Sequence, residues 1–340
     1  MKLIIQIPCY NEEETLAIAL KEIPRSIPGI DTVELLIIND GSTDRTVEVA
    51  RAHGVDHVVD FPKNKGLAKG FMSGIERCLT EGADIIVNTD ADNQYCGADI
   101  AKLVRPILDH QADMVIGERP IDDIKHFGYV KKRLQRLGSW VVRRVSNTRI
   151  PDATSGFRAY SRDAALRMNV LNDFTYTVET IIQAGQSNIA LTHVPIRTNP
   201  PTRESRLFRS TFQYLKRSTL TVLRIFMVYK PLRVFAAAGS VIFGLGFLLG
   251  LRFLYYYLIA RQGSGGKVQS VILAAVLMII GFQVIVLGLI SDLIAANRKL
   301  IQDTLFRVRR LELEARHRPP AAERTEPRAA QRSPGGRPNS

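Results

Sequence analysis

The stretch "IIVNTDADNQY", residues 85–95, is the feature around which the rest of the sequence is interpreted. Its first three residues predict a short buried strand, which delivers Asp90 and Asp92 one residue apart. Residues i and i+2 at a strand end point the same way, so the two carboxylates lie side by side. Because such a pair is mutually repulsive, the arrangement indicates a bound cation.

Strand and helix signals alternate on both sides of this stretch. The predicted strands are 3–7, 35–39, 57–60, 85–89 and 114–117, and the predicted helices are 12–23, 43–53, 68–81 and 99–110. This alternation predicts an α/β fold with a mainly parallel sheet and helices on both faces. Ligands of such sheets gather at the carboxyl ends of the strands. The loops "PCYNEEE", "NDGSTD" and "NTDADNQ" all follow predicted strands there, so together they predict a site.

The residue types in these loops suit a nucleotide diphosphate held through a metal. Paired carboxylates favour Mg²⁺ or Mn²⁺, which prefer oxygen ligands and bridge phosphates. Two roles stay open for Asp44, which either caps the following helix or faces the site. Asp40 has no evident capping role, so we predict a contact with a base or ribose. Lys69 begins a helix beside the same edge, where it is placed to meet phosphate.

The C-terminal part of the chain has a different character. Residues 1–205 hold 25 Lys and Arg against 27 Asp and Glu, whereas residues 206–340 hold 21 against 6. Residues 234–251 and 268–291 contain no charged side chain, and each is long enough to cross about 30 Å of hydrocarbon as a helix. The basic flanks predict a hairpin in the inner membrane, with the catalytic domain and the tail cytoplasmic. The basic excess therefore indicates contact with a bilayer, and the near-neutral first part argues against a nucleic-acid partner.

The pattern divides the chain into five segments. Residues 1–206 form the catalytic domain, 207–231 a juxtamembrane amphipathic helix, 232–296 the transmembrane hairpin, 297–318 a cytoplasmic amphipathic helix, and 319–340 a disordered basic tail. A further basic amphipathic helix within residues 119–147 is predicted to lie against the anionic membrane surface. A two-helix hairpin buries little surface alone, which favours a homo-oligomer in the bilayer.

The N-terminus and the cysteines add little. The apolar run in "MKLIIQIPCY" is too short for a signal peptide and predicts the first strand. Cys9, Cys78 and Cys96 have no metal-like spacing, so we expect free thiols.

Five motifs in order resemble those of glycosyltransferase family 2. They are "PCYNEE", "NDGSTD", "NKGLAKGFMSGIE", "DADNQ" and "DATSGFRAYSRDA", and with the hairpin they resemble polyprenyl-phosphate glycosyltransferases of the dolichyl-phosphate mannose synthase type. The resemblance covers residues 1–206 and extends loosely to the hairpin. It implies a GT-A fold and metal-dependent transfer, with inversion, of a hexose from GDP-mannose or a UDP-hexose to a polyprenyl phosphate.

The resemblance also assigns roles to residues. Asp92, Asp152 and Glu179 would be the catalytic residues, with Asp90 and Asp92 as the metal ligands. The nucleotide sugar would be bound by Pro8, Tyr10, Asn11, Glu12, Asp40, Lys69, Asp90 and Gln94. The acceptor phosphate would be bound by Ser155, Arg158, Arg203, Ser205 and Arg206. Independently of the resemblance, the need to hold an anionic head group at the membrane surface adds the basic side chains of Arg119 and Lys131. A lipid phosphate is already an anion near neutral pH, so Asp152 and Glu179 are expected to position substrates more than to act as bases.

Two departures from the family pattern concern the sugar and the acceptor. The loop that carries Asp90 and Asp92, residues 89–94, is called the metal loop. It continues as "YCGAD" where the family has a proline pair and an acidic residue, and Glu204 stands where a glycine is common.

Other interpretations weigh less. A processive polysaccharide synthase would carry a Q-x-x-R-W motif, but Trp140 follows "RLGS". A nucleotidyltransferase would not need the hairpin, and a non-catalytic membrane scaffold would not need Asp40, Asp90 and Asp92. Transfer to another membrane or polysaccharide acceptor remains an alternative to the polyprenyl phosphate.

Overall fold

The computed structural model of the chain describes residues 1–120, 138–140, 142–144, 146–170, 176–200, 227, 229–258 and 268–316. Several predictions fall outside these residues. They include most of the basic helix within 119–147, the juxtamembrane segment 207–231 except its last residues, the turn of the hairpin and the tail 319–340. The sites predicted at Lys131, Arg203, Ser205 and Arg206 also lie outside the described residues.

The core of the molecule is one seven-stranded sheet. Its strands are β1 (Lys2–Cys9), β2 (Thr32–Asn39), β3 (His57–Asp60), β4 (Ile85–Asn88), β5 (Met114–Glu118), β6 (Arg158–Ser161) and β7 (Leu191–Pro195). The strand order is β3-β2-β1-β4-β6-β5-β7. All pairs are parallel except those of β6, which runs antiparallel to both β4 and β5. The predicted mainly parallel sheet is therefore confirmed, with one reversed strand that the sequence did not reveal.

Eight helices accompany the sheet in the described part of the chain, not counting helical residues between 138 and 146 and at 227 and 229. They are α1 (Leu16–Glu22), α2 (Thr46–Ala52), α3 (Leu67–Thr80), α4 (Ile100–Leu108), α5 (Arg162–Arg167), α6 (Thr177–Gln186), α7 (Pro231–Leu258) and α8 (Val268–Arg316). A short 3₁₀ turn, Gly97–Asp99, precedes α4.

The sheet is covered on both faces because its central strands β1 and β2 contain continuous apolar runs. Along β1, Ile4 belongs to the core cluster that includes Phe71 of α3, while Leu3 and Ile5 belong to the cluster that includes Leu16 of α1. Successive side chains of a strand point to opposite faces, so a continuous apolar run supplies both layers. The sequence of β1 therefore requires helices on each side.

Helix α1 begins four residues later than predicted, at Leu16 in place of Glu12. The backbone N–H groups of Asn11, Glu12 and Glu13 donate to side chains of the next loop at Ser42, Thr46 and Asp44. These bonds hold residues 11–13 in the loop that follows β1, and α1 therefore starts after them.

The two long C-terminal helices form an antiparallel hairpin. Residues Pro231–Leu258 and Gln269–Ala315 are long and apolar enough to cross a membrane, and most of their apolar side chains are exposed. Gly239 and Gly281 allow close contact between the helices, since a Cβ on Gly239 would lie 2.7 Å from the carbonyl oxygen of Gly281. Residues 297–316, predicted as a separate amphipathic helix, continue the second apolar helix without a break.

Helix α8 returns to the catalytic domain at its C-terminal end. Arg309 donates to the carbonyl oxygen of Met168 at 2.8 Å, and the Arg167 guanidinium lies 4.2 Å from the centre of the Phe306 ring. Phe306 and Leu313 pack against the core cluster of the catalytic domain. The hairpin and the catalytic domain are therefore in direct contact.

Candidate active site

The polar loops converge at one edge of the sheet because of the strand directions. The loops after β1, β2 and β4 leave the carboxyl ends of parallel strands, and the residues after β5 and β7 leave on the same side. Since β6 is antiparallel, the segment that precedes it, residues 152–157, reaches this edge from the other direction. Asp40, Asp90, Asp92, Arg119 and Asp152 thus belong to one edge, as the sequence predicted for the first three.

Asp90 and Asp92 follow β4, and the electrostatics of the pair favour a bound cation. Burial raises the pKa of Asp90 to about 7, and repulsion from the Asp92 carboxylate acts in the same direction. Asp92 accepts hydrogen bonds from the backbone N–H of Gln94 at 3.2 Å and from its side-chain amide at 2.8 Å. Keeping both carboxylates charged in this position is costly, and a divalent cation would offset that cost.

The residues present fit a Mg²⁺ or Mn²⁺ ion that is shared with a phosphate ligand. Within the described ranges, no group of three or more His, Cys, Asp or Glu side chains is arranged to hold a metal. Two carboxylates alone leave most positions of an octahedral ion to other oxygens, which suits an ion held with substrate phosphates.

Arg119 and Asp152 form a buried ion pair beside the carboxylates. The Arg119 Nε lies 2.7 Å from Asp152 Oδ2, and its Nη2 lies 3.0 Å from Asp152 Oδ1 and 2.7 Å from Thr154 Oγ1. Asp152 is 1% exposed. Burial alone would raise the pKa of Asp152, but the charge and hydrogen bonds of Arg119 hold it below its ordinary value. Asp152 is therefore an anion whose position is fixed by Arg119.

A buried polar network joins the metal loop to the 152–157 loop. Asn88 Nδ2 donates to the carbonyl oxygen of Gly156 at 2.9 Å and to the hydroxyl of Tyr176 at 2.8 Å. On the other side, the N–H of Gly156 donates to the Tyr95 hydroxyl at 3.0 Å. Gly156 also lies against Asp90, because a Cβ on it would sit 3.2 Å from both carboxylate oxygens. The backbone at Gly156 thus forms one wall of the Asp90 site.

Ser155 and Arg158 lie behind this wall. Arg158 is fully buried, and its guanidinium donates to the carbonyl oxygens of Ala153, Ser155 and Thr177 at 2.7–2.9 Å. It stabilises the loop from inside, so the acceptor site proposed below does not include Arg158. Ser155 is also fully buried, and its hydroxyl has no hydrogen-bond partner among the described residues.

The two loops after β1 and β2 are held mainly by each other. Asn11 Oδ1 accepts from the N–H of Thr43 at 2.8 Å, and Glu12 Oε2 accepts from the Thr15 hydroxyl at 2.6 Å. Asp44 accepts from the N–H groups of Glu13 and Thr46, so it joins the two loops just ahead of α2.

Asp40 has a local role that the sequence did not reveal. Its carboxylate accepts from the backbone N–H groups of Lys65 at 2.6 Å and Gly66 at 3.0 Å, immediately before α3. These partners lie 25 and 26 residues downstream of Asp40 and precede α3, so no local pattern in the sequence indicates them, and the contact with a base or ribose stays a prediction. Pro8 is partly buried at the end of β1, whereas Tyr10 and, on the first turn of α3, Lys69 are exposed near the same edge.

Residues 197–199 form a strap across the metal loop. The N–H of Asn199 donates to the carbonyl oxygen of Gln94 at 2.9 Å, and Arg197 pairs with the buried Asp99 at 2.8 Å. Glu22 at the end of α1 accepts from the amides of both Asn93 and Asn199, at 3.1 and 3.0 Å. The strap fixes the metal loop to the part of the chain that precedes residues 203–206, where the sequence predicts contacts with the acceptor phosphate.

Glu179 lies where the catalytic domain meets the hairpin. Its Oε1 accepts from Arg298 Nη2 at 2.9 Å and from the Tyr229 hydroxyl at 3.1 Å. The sequence placed Glu179 among the catalytic residues, and its partners include residues at the two ends of the membrane hairpin.

Sequence reasoning missed several residues of the site, chiefly Asn88, Tyr95, Tyr176 and Glu22. A signal was present for Asn88, since a buried polar residue at the end of an apolar strand needs partners. Tyr95, Tyr176 and Glu22 give no such signal, because their partners in the site lie 20 or more residues away in sequence.

Comparison with known proteins agrees with this geometry. A seven-stranded mixed sheet with paired carboxylates at its edge defines a GT-A-like fold. The same fold is found in glucosyl-3-phosphoglycerate synthase from Mycobacterium tuberculosis, whose structure was solved with Mn²⁺, uridine diphosphate and phosphoglyceric acid. The two structures match with a TM-score of 0.52 and 18% sequence identity. The match covers 66% of this chain and 77% of the synthase. Residues 4–167 match Glycosyl transferase family 2, and residues 230–296 match the GtrB C-terminal hairpin. The chain belongs to glycosyltransferase family 2, and it is a glycosyltransferase.

Two relatives are named for lipid-phosphate acceptors. The chain is 27% identical over 217 residues to a UDP-N-acetylglucosamine–dolichyl-phosphate N-acetylglucosaminyltransferase of Methanococcus voltae, covering 56% of this chain and 83% of the relative. It is 26% identical over 206 residues to an undecaprenyl-phosphate mannosyltransferase of Micrococcus luteus, covering 58% and 83%.

Proposed function

We propose that the protein transfers a hexose, with inversion, from a nucleotide-diphosphate sugar to a polyprenyl phosphate at the cytoplasmic face of the inner membrane. The observation that carries this proposal is the direct contact between the carboxylate-bearing domain and an apolar hairpin. A water-soluble donor and a lipid acceptor meet only where a catalytic domain touches the bilayer. The names of the two relatives support a polyprenyl phosphate as acceptor.

On the donor side, we assign the nucleotide to the loops after β1 and β2 and the diphosphate to the metal loop. Pro8, Tyr10, Asn11, Glu12 and Asp40 would line the nucleotide, while Lys69 and Gln94 would approach the diphosphate or sugar. Asp90 and Asp92 would hold Mg²⁺ or Mn²⁺, and such an ion neutralises charge on the leaving diphosphate.

On the acceptor side, a phosphate oxygen forms the new bond to the anomeric carbon as the bond to the donor diphosphate breaks. The nucleoside diphosphate leaves, and the acceptor needs little help from a base because it is already an anion. Arg119, Ser155, Lys131, Arg203, Ser205 and Arg206 are the proposed contacts of this phosphate. Asp152, held by Arg119, then positions the site.

The test is a donor screen in membranes that contain the full-length protein. Undecaprenyl phosphate is supplied with labelled UDP-glucose, UDP-galactose, UDP-N-acetylglucosamine or GDP-mannose, with Mg²⁺ or Mn²⁺ or with a chelator. We expect label from one donor to enter the organic-solvent phase only when the metal is present. Membranes from cells with the Asp92→Asn variant are the matched control.

The other outcomes are equally informative. Donor binding without lipid-linked label would overturn the polyprenyl phosphate in favour of another membrane or polysaccharide acceptor. Absence of donor binding would favour a non-catalytic scaffold. Full transfer in the presence of a chelator would remove the metal from the proposal.

Gly156→Ala is expected to weaken the metal site. The added Cβ would lie 2.9 Å from the Tyr176 hydroxyl and 3.2 Å from both Asp90 oxygens, so the wall and the carboxylate must separate. Overpacking costs about 1–3 kcal/mol, and about 1.4 kcal/mol of this at the metal site would raise the Mn²⁺ concentration for half-maximal transfer roughly tenfold. Gly70→Ala is the matched control, because its Cβ would lie at an ordinary 3.7 Å from Ile38. Equal metal requirements in the two variants would contradict the placement of Gly156.

A further inference from the structure

Both ends of the membrane hairpin meet on one carboxylate of the catalytic domain. Tyr229 stands two residues before α7, and Arg298 follows the apolar stretch of α8. Each donates to Oε1 of Glu179, and Arg298 Nη2 also lies 3.1 Å from the Tyr229 hydroxyl. The Arg298 guanidinium stands 5.0 Å from the centre of the Tyr229 ring. The residues at the beginning and at the end of the hairpin are therefore both bonded to Glu179.

This contact is well shielded from solvent. The Glu179 side chain is 8% exposed and that of Arg298 is 26% exposed. A carboxylate in such a position depends on its charged partner, because water does not replace the lost bond. The contact is thus far more sensitive to substitution than an exposed ion pair would be.

Glu179 lies on α6, and the start of this helix supports the active-site loop. The carbonyl oxygen of Thr177 and the hydroxyl of Thr180 accept from Arg158 Nη1, at 2.7 and 2.6 Å. Arg158 in turn holds the carbonyl oxygens of Ala153 and Ser155. Movement of α6 would therefore carry residues 153–155 with it.

A second connection runs through Tyr176, the residue that precedes α6. Its ring stacks on Phe71 with centroids 4.0 Å apart and an interplanar angle of 4°, and its hydroxyl accepts from Asn88. Asn88 also donates to Gly156, which lies against Asp90. The chain of contacts from Arg298 to the metal loop is continuous.

The docking of the hairpin does not depend on Glu179 alone. Arg309 bonds to Met168, and Phe306 packs beneath Arg167, both farther along α8. Loss of Arg298 would thus change the position of α6 without releasing α8 from the domain.

We propose that Arg298 and Tyr229 are positioning residues, which act through Glu179 and α6 to set the acceptor-side loop 152–156 relative to the membrane. The inference rests on the proposed transfer to a lipid phosphate. It predicts that loss of Arg298 impairs use of the lipid acceptor more than binding of the donor. Among the described residues, the contacts traced above reach loop 152–156 directly through Arg158, reach the metal loop only through Tyr176 and Asn88, and bypass the loops after β1 and β2.

The first test compares kinetics of full-length variants in lipid nanodiscs. We expect Arg298→Met to raise the KM for undecaprenyl phosphate about tenfold, with less than about a twofold change in the KM for the donor. Arg298→Lys, which keeps the charge, should recover part of this loss. Arg310→Met on the same helix is the control, since Arg310 forms an exposed pair with Glu314 at 3.0 Å. Equal acceptor KM values for Arg298→Met and Arg310→Met would overturn the proposal, as would equal changes in donor and acceptor KM.

The second test needs no transfer. Hydrogen exchange of the same proteins should be faster at residues 153–158 and 177–183 in Arg298→Met than in Arg310→Met. If the wild-type protein transfers sugar but exchange at these residues is unchanged, the coupling is refuted and the proposed function stands. If no transfer is seen but exchange rises as expected, the coupling is upheld and the proposed function fails.

Discussion

Asp92→Asn is expected to lower the rate of sugar transfer by roughly 10²–10³-fold, the size of effect seen when one preorganised electrostatic contact is removed. The variant keeps the volume of the side chain and removes its charge. A neutral amide is a poor ligand for a hard divalent cation, so the charge on the leaving diphosphate would lose its counterion.

The fold should survive this substitution. Asp92 is half-buried, and its bonds include those to the backbone N–H and the side-chain amide of Gln94, an exposed residue two positions away. In the variant, the remaining oxygen still accepts from the backbone, and a flipped Gln94 amide accepts from the new NH₂ group. Circular dichroism and the melting temperature are therefore expected to match those of the wild-type protein.

Asp109→Asn is the matched control for Asp92→Asn. Asp109 forms an i, i+4 pair with Arg105 on α4 at 2.8 Å, and loss of such a pair costs little. If Asp109→Asn transfers sugar at the wild-type rate and Asp92→Asn does not, the loss of activity is specific to the metal site. Wild-type transfer by Asp92→Asn itself would contradict the metal assignment.

The sequence predicted the parts of the fold that depend on local patterns. The apolar runs of β1, β2 and β4 and the polar residues after them placed Asp40, Asp90 and Asp92 at one edge from the pattern alone. Length and charge likewise predicted the hairpin at 234–251 and 268–291. These features are local, because burial on both faces of a parallel strand shows directly as an uninterrupted apolar run.

What the sequence did not predict depends on contacts between distant residues. Strand β6 begins with the fully buried Arg158, whose charge hides the strand pattern, and its acceptors lie up to 22 residues away. Arg298 and Glu179 are 119 residues apart, so no spacing rule relates them. The same holds for the start of α1, which is set by side chains from the loop after β2 and not by its own sequence.

The second large effect is expected at Arg119. Arg119→Met removes the guanidinium that pairs with Asp152 and leaves a carboxylate that is 1% exposed without its cation. Breaking a buried pair costs about 3–5 kcal/mol. The lower end applies, at about 3 kcal/mol, because Arg119 is itself 16% exposed and Thr154 still donates to Asp152. Urea unfolding of the full-length protein in detergent, followed by near-ultraviolet circular dichroism, measures the loss.

The double variant Arg119→Met/Asp152→Asn separates stability from chemistry. The neutral amide at position 152 no longer needs a cation, so we expect most of the lost stability to return, leaving a deficit of about 1 kcal/mol for one unpaired amide. Transfer by the double variant should stay at least ~10-fold below that of the single variant Asp152→Asn if Arg119 also contacts the acceptor phosphate, since a charge-assisted bond of that kind is worth more than about 1.4 kcal/mol. Recovery of stability together with transfer equal to that of Asp152→Asn would instead limit Arg119 to holding Asp152. That outcome would leave binding of the acceptor phosphate to the remaining proposed contacts, Ser155, Lys131, Arg203, Ser205 and Arg206.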